Sequence, residues 1–277
     1  MRSQVSRVHS QPSTGRLVDV FHFRIFGFVV LRQFFDPHSI AAEIDSVMLH
    51  GQRPSFKESR GGDFQFQYVP MMTAETPGSL SLLDHTQTIA ATLLGGPVLP
   101  TRAKGVRYSG NTPWHADSDL PIASLGIVTY LESLGEKSGA LRVLPGSHRE
   151  EFANSLRSLK AAGKPAEAFP SHIVLTDPGD VIVFDEHLFH ASFGGGNRRQ
   201  WRVDFIADPA NVEAEEQARA YFRNLYRPDW DGGYDVDRYP SYGSDWLGSG
   251  RPAVARLNAL GVHEMAAKQE AYARSRR

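Results

Sequence analysis

Trp114-His115-Ala116-Asp117 puts an imidazole and a carboxylate one residue apart. In an extended backbone such a pair projects from the same side of the chain. Two ligands of this kind need a third from elsewhere. The stretch Phe184-Asp185-Glu186-His187-Leu188-Phe189-His190, which follows an apolar run, offers two candidates, His187 and His190. Two histidines and one carboxylate on one face of a metal are the ligand set of oxygen-using iron(II) enzymes. Three coordination positions stay open, two for a chelating co-substrate and one for dioxygen. The chain has no cysteine, which excludes disulfides, thiolate zinc sites, iron–sulfur clusters and a thiol nucleophile. Any metal must be held by histidine and carboxylate. Pro145-Gly146 suits a tight turn and needs no chemistry to explain it, and His148 after it reads as structural.

The elements around these residues are short and β-rich. From about residue 97 to 208, runs such as IVTYLE, GALRVL, HIVLT, DVIVF and WRVDFIA are separated by Gly, Pro, Ser and Asp. This punctuation predicts an antiparallel sandwich or jelly roll. Before it, Val18 to Leu31 reads as an edge element leading into a strand. Asp36-Pro37 opens a helix carrying Ile40, Ile44, Val47 and Met48 at helical spacing, and Ser79 to Leu94 suits a second helix ended by Gly95-Gly96-Pro97. Residues 51–63 read as a loop, and Phe64 to Tyr68 alternates, with Gln65 and Gln67 on one face. Beyond Glu213, helical patterns flank a Tyr/Trp/Gly/Asp-rich insert at 226–248. The fold class expected is mainly β with flanking helices on a double-stranded β-helix (jelly-roll, cupin-like) core. The expected organisation is a disordered tail over 1–17 and one domain over 18–277, with a C-terminal helical or lid extension from about 209.

Bulk properties narrow the partners. The 277 residues carry a formal net charge of -1 with no long Lys/Arg run, so general nucleic-acid or anionic-membrane binding is not expected. No apolar run has the length of a membrane span, and the start, MRSQVSRVHSQPSTGR, lacks the apolar core of a signal peptide. The expectation is a cytoplasmic monomer or homodimer acting on a small molecule.

Four stretches in order resemble the phytanoyl-CoA dioxygenase family. GFVVLRQFFDPHSIAAEID is similar to its opening strand and helix, TPWHAD to its first metal motif, SGALRVLPGSHR to its central turn, and DPGDVIVFDEHLFHASFGGGN to its second metal motif. The likeness runs from about Phe21 to Asp208. It implies Fe(II), 2-oxoglutarate and O2 as the reacting partners, with His115, Asp117 and His190 as iron ligands. His190 is favoured over His187 because Ser192 follows it by two, as in the family. The resemblance also implies an arginine after the distal histidine that grips the far carboxylate of 2-oxoglutarate. Arg202 aligns best, while Arg198 and Arg199 read as surface loop charges. Ser192 is expected to support the same carboxylate. Thr129 and Lys104 are expected to line the co-substrate pocket, with Arg107 and Tyr108 as the alternatives to Lys104.

The implied reaction is hydroxylation of an unactivated C–H bond, with succinate and CO2 as co-products. Desaturation, cyclisation and epimerisation start from the same hydrogen abstraction. Related halogenases carry Gly or Ala in place of the carboxylate, so Asp117 argues against halogenation. No basic cradle for a CoA phosphate is evident, which favours a free metabolite such as an amino-acid derivative or an intermediate of specialised metabolism. The loops at 51–75 and the insert are the expected pocket walls; Gln65 and Gln67 could offer hydrogen bonds there and Trp114, Tyr221, Tyr226 and Trp246 apolar surface, and ordinary packing explains each equally well. The rival from another class is a metal-binding sensor without turnover.

Overall fold

The computed structural model describes residues 18–53, 58–59, 65–163 and 168–277. The tail expected over 1–17 and most of the loop at 51–63 lie outside the described residues, as does the side chain of Gln65. The elements begin with α1 (Val20–Phe26), β1 (Phe28–Leu31), α2 (His38–Gly51), β2 (Glu58–Ser59), β3 (Gln65–Pro70) and α3 (Pro77–Leu94). Then come β4 (Val98–Pro100), β5 (Lys104–Ser109), β6 (Thr112–His115), β7 (Ser124–Tyr130), β8 (Leu141–Val143) and α4 (Glu150–Ala161). The rest are β9 (His172–Val174), β10 (Val181–Asp185), β11 (His190–Ser192), β12 (Arg198–Ala207), α5 (Val212–Leu225), α6 (Ser244–Leu247), α7 (Pro252–Ala259) and α8 (Val262–Ser275).

Two antiparallel sheets face each other. The larger runs β1-β10-β7-β12-β5-β3-β2, with β4 also on β12, and the smaller runs β6-β11-β8-β9. Neither sheet is closed, and the jelly-roll expectation holds. The space between the sheets is filled by Val128, Tyr130, Ile182 and Phe184 from the larger sheet and Leu141, Val143 and Val174 from the smaller. The other face of the larger sheet carries Ile127, Val183, Trp201 and Phe205 and joins the core that includes Ile40, Ile44 and Val47 of α2 and Leu83 and Ile89 of α3. Side chains alternate along a strand, so β12 sends Arg198, Gln200, Arg202 and Asp204 toward the smaller sheet. Its remaining residues face the helices, where Trp201 Nε1 donates to Ser79 Oγ at 2.8 Å.

The opening differs from expectation. Residues 20–26 form a helix rather than the start of a strand, because local signals outweigh β-branched composition. Asp19 Oδ1 caps it by accepting from His22 N at 2.8 Å, and Gly27 ends it at φ 81°. A Cβ at Gly27 would lie 2.5 Å from His148 Nδ1, so only glycine fits there. Strand β1 then pairs β10 at the sheet edge.

The C-terminal segment is pinned to the β core by Arg102, which is 2% exposed. Its Nη1 donates to Ser241 Oγ and Gln269 Oε1 and its Nη2 to Tyr68 OH, with Tyr226 beneath the guanidinium. Tyr226 and Trp246 are therefore core residues, 1% and 0% exposed, the packing alternative of the two that the sequence left open. Among the described residues no helix is long and apolar enough to cross a membrane.

Candidate active site

β6 and β11 lie side by side in the smaller sheet with His115 and His190 in register. Asp117 follows in the loop after β6, where its N–H donates to Glu186 O at 2.8 Å, tying that loop to the approach to β11. The two imidazoles are oriented alike. His115 Nδ1 faces Pro113 O at 2.8 Å and His190 Nδ1 faces Leu188 O at 2.9 Å. A ring nitrogen against a carbonyl must carry a proton, so in the neutral ring each Nε2 keeps its lone pair. Those lone pairs converge on Asp117, with His115 Nε2 3.4 Å from Oδ1 and His190 Nε2 3.6 Å from Oδ2. One donor atom from each of the three residues lies within 4.8 Å of the others. Burial pushes His190 down to about 4, which keeps it a neutral donor. Burial would raise Asp117, but Arg202 and the two histidines outweigh it and hold the carboxylate well below its usual range. Burial would lower His115, but Asp117 outweighs it and raises the group, so a metal there would take the place of a proton; two imidazoles and one carboxylate fit a divalent transition metal.

His187, the alternative third ligand, is engaged elsewhere. Its Nδ1 contacts Asp185 Oδ1 and its Nε2 contacts Leu120 O, both at 2.8 Å. Only the imidazolium can donate to both, and the Asp185 hydrogen bond, against the pull of burial, raises His187 to about 9. The stability it contributes is fully present below its unfolded value near 6.5 and is lost as pH rises through about 9. Replacing His187 with Gln is expected to cost about 2 kcal/mol near pH 6. The gap in melting temperature from the unsubstituted protein should close by pH 9.5, as thermal unfolding across that range would check.

A cavity of about 740 Å³ opens over the three residues, and Ser192, Lys104, Arg202 and Tyr221 line it as well. Arg202 does not present a free fork to an organic acid. Its Nη2 donates to Asp117 Oδ2 and its Nε to Asp204 Oδ1, both at 2.7 Å. Lys104 is paired too, with Nζ donating to Asp204 Oδ2 at 3.2 Å. Thr129 is not in the pocket. It projects from the helix-facing side of β7, and its hydroxyl donates to Asp180 O at 2.7 Å. Trp114 packs with Phe169 and Phe189 away from the cavity, and Gln67 lines a separate recess with Arg107.

Arg198 is the residue that sequence reasoning placed wrongly. It is no surface charge but 1% exposed. Its Nη1 donates to Gly139 O and Ser192 Oγ and its Nη2 to Gly110 O, with the Tyr108 ring 4.4 Å from Cζ. No carboxylate among the described residues pairs with it, and its Nε is buried without a partner. Gly139 and Gly195 make its room, since a Cβ on either would come within 2.4 Å of the guanidinium. A buried cation surrounded only by neutral groups calls for an anion. Ser192, Tyr108 and Tyr130, which connect it to the cavity, all line that space.

A jelly roll that gathers two histidines and a carboxylate at one mouth, beside a buried guanidinium, is the architecture of a non-haem iron enzyme using a 2-oxo acid. Residues 23–200 match the phytanoyl-CoA dioxygenase (PhyH) family model, more than half of the chain, and the protein belongs to that family of 2-oxoglutarate-dependent non-haem iron enzymes. The matched stretch includes Arg198 and stops before Arg202. Solved structures share the fold. The 2-oxoglutarate-dependent carbocyclase SnoK from nogalamycin biosynthesis is 17% identical, with TM-score 0.56, over 70% of this chain and 85% of its own. HygX from Streptomyces hygroscopicus, solved with nickel and 2-oxoglutarate, is 16% identical with TM-score 0.55 over 69% and 87%. The epimerase SnoN from nogalamycin biosynthesis is 16% identical with TM-score 0.53 over 69% and 81%.

Proposed function

We propose that the protein is an Fe(II)- and 2-oxoglutarate-dependent dioxygenase that hydroxylates a C–H bond of a small metabolite. His115, Asp117 and His190 hold the iron, and Arg198 with Ser192 anchors the far carboxylate of 2-oxoglutarate in place of Arg202. The observation that carries this reading is the convergence of two imidazole Nε2 atoms on one carboxylate, in a cavity whose wall residue Ser192 is hydrogen-bonded to a buried arginine without a carboxylate partner. Iron with 2-oxoglutarate and dioxygen supplies an oxidant strong enough for an unactivated C–H bond, releasing succinate and CO2. The chain orients the ligands through the Pro113 and Leu188 carbonyls. It balances the co-substrate's charge with Arg198 and walls the reacting space with Phe184 and Tyr221.

The same scaffold carries a second reading, desaturation, cyclisation or epimerisation. The carbocyclase and epimerase names of the two nogalamycin enzymes support it. Asp117 fills the carboxylate place, which argues against halogenation. The test is anaerobic loading with Fe(II) and 2-oxoglutarate followed by oxygen. The expected result is succinate formation, slow without substrate and fast with it. Labelled dioxygen then separates outcomes, because succinate takes one labelled atom in every case while only hydroxylation puts the other into the metabolite. Bound iron and bound 2-oxoglutarate with no succinate under any substrate would overturn the enzyme reading in favour of a sensor.

A further inference from the structure

Arg202 and Arg198 point from the same face of β12, four residues apart, yet their surroundings are opposite. Arg198 has neutral neighbours throughout, whereas Arg202 bridges two carboxylates from different parts of the chain. Its Nη2 holds Asp117 Oδ2 and its Nε holds Asp204 Oδ1, each at 2.7 Å. Asp204 is itself fixed from behind. Lys104 Nζ donates to its other oxygen at 3.2 Å, and its backbone N–H donates to Thr101 Oγ1 at 3.1 Å. The guanidinium head is thus clamped on a buried support, with only 19% of its side chain exposed.

We infer that Arg202 is a positioning residue that restricts Asp117 to binding the metal through one oxygen. This inference rests on the iron-site reading above. A carboxylate can bind a metal through one oxygen or both. In this site each oxygen faces one histidine, Oδ1 at 3.4 Å from His115 Nε2 and Oδ2 at 3.6 Å from His190 Nε2, but Oδ2 is also taken by a charge-assisted hydrogen bond, which leaves Oδ1 the free oxygen. One oxygen from Asp117 and one nitrogen from each histidine leave three positions free, which a chelating oxo acid and dioxygen together require. Without Arg202, Oδ2 is released to chelate, and one of those positions closes. The cost falls on the oxo acid rather than on the metal, because a second oxygen ligand and the loss of a nearby cation both favour metal retention.

The experiment uses the full chain loaded with Co(II), whose visible ligand-field bands report coordination number. The oxo acids are 2-oxoglutarate and 2-oxobutyrate, which lacks the far carboxylate. For Arg202→Gln, stoichiometric Co(II) binding is expected with an altered ligand-field spectrum. Both oxo acids should bind at least tenfold more weakly, and to the same degree. Arg202→Lys should recover most of this affinity, since an ammonium still reaches Asp117. Arg202→Met, which keeps the stem near the Phe184 ring, carries the same expectation should the Gln variant fold poorly. Weakened binding of 2-oxoglutarate alone would make Arg202 the carboxylate anchor and overturn the inference. Unchanged spectra and affinities would reduce it to a packing ion pair. Failure of the unsubstituted protein to bind Co(II) would instead sink the metal-site reading, before any Arg202 variant is measured.

Discussion

Replacing Asp117 with alanine is expected to lower succinate formation by three orders of magnitude or more, about 4 kcal/mol in barrier height, with loss of stoichiometric iron. His115→Ala and His190→Ala should do the same. The reason is geometric. Each residue provides one of the three converging donors, and no other histidine replaces them, since both nitrogens of His187 are engaged by Asp185 and Leu120. Loss of Asp117 also leaves Arg202 with Asp204 as its remaining short carboxylate contact, placing a cation beside two imidazoles. His187→Ala is the control and should keep turnover within about tenfold of the unsubstituted enzyme, because it touches none of the three donors. Iron content by metal analysis and initial rates of succinate release check both halves.

The second large effect concerns Arg198. Arg198→Met is expected to raise the KM for 2-oxoglutarate about 100-fold, the ~3 kcal/mol typical of removing one partner from a buried, hydrogen-bonded charge pair. Binding of 2-oxobutyrate, which has no far carboxylate to anchor, should be unchanged. Arg198→Lys should not rescue, because one ammonium cannot reproduce the spread of donors that meets Gly139 O, Gly110 O and Ser192 Oγ. Gly195→Ala should mimic the arginine variant in part, as the added Cβ would fall 2.4 Å from Arg198 Cζ. A KM that moves for Arg202→Lys and not for Arg198→Met would restore the assignment suggested by motif alignment.

These two sites also show what was legible in the amino-acid order. His115 and Asp117 could be paired by period-two geometry, whereas the choice of His190 over His187 rested on the family resemblance. The arginine proposed as the anchor could not be read. Arg198 and Arg202 have the same parity on β12, so both point inward, and the apolar pattern marks the strand only from Trp201 although pairing begins at Arg198. Burial is what distinguishes them, and burial comes from Gly110, Gly139 and Gly195 in other loops. Thr129 failed for a related reason. All seven residues of β7 are buried, so no polar alternation shows which face it takes. The Tyr/Trp-rich insert stayed ambiguous because aromatic composition is shared by pocket walls and cores. Arg102 recruits Tyr226 into the core, while Tyr221, on α5, reaches the cavity and donates to Glu186.

The most direct test of the account is an anomalous-difference map at the iron edge, from crystals grown anaerobically with Fe(II) and 2-oxoglutarate. One peak is expected within bonding distance of His115 Nε2, His190 Nε2 and a single Asp117 oxygen, with the far carboxylate of the oxo acid turned toward Ser192 and Arg198. Iron located at any other cluster, or these three side chains left without metal in a protein shown to bind iron stoichiometrically, would contradict it.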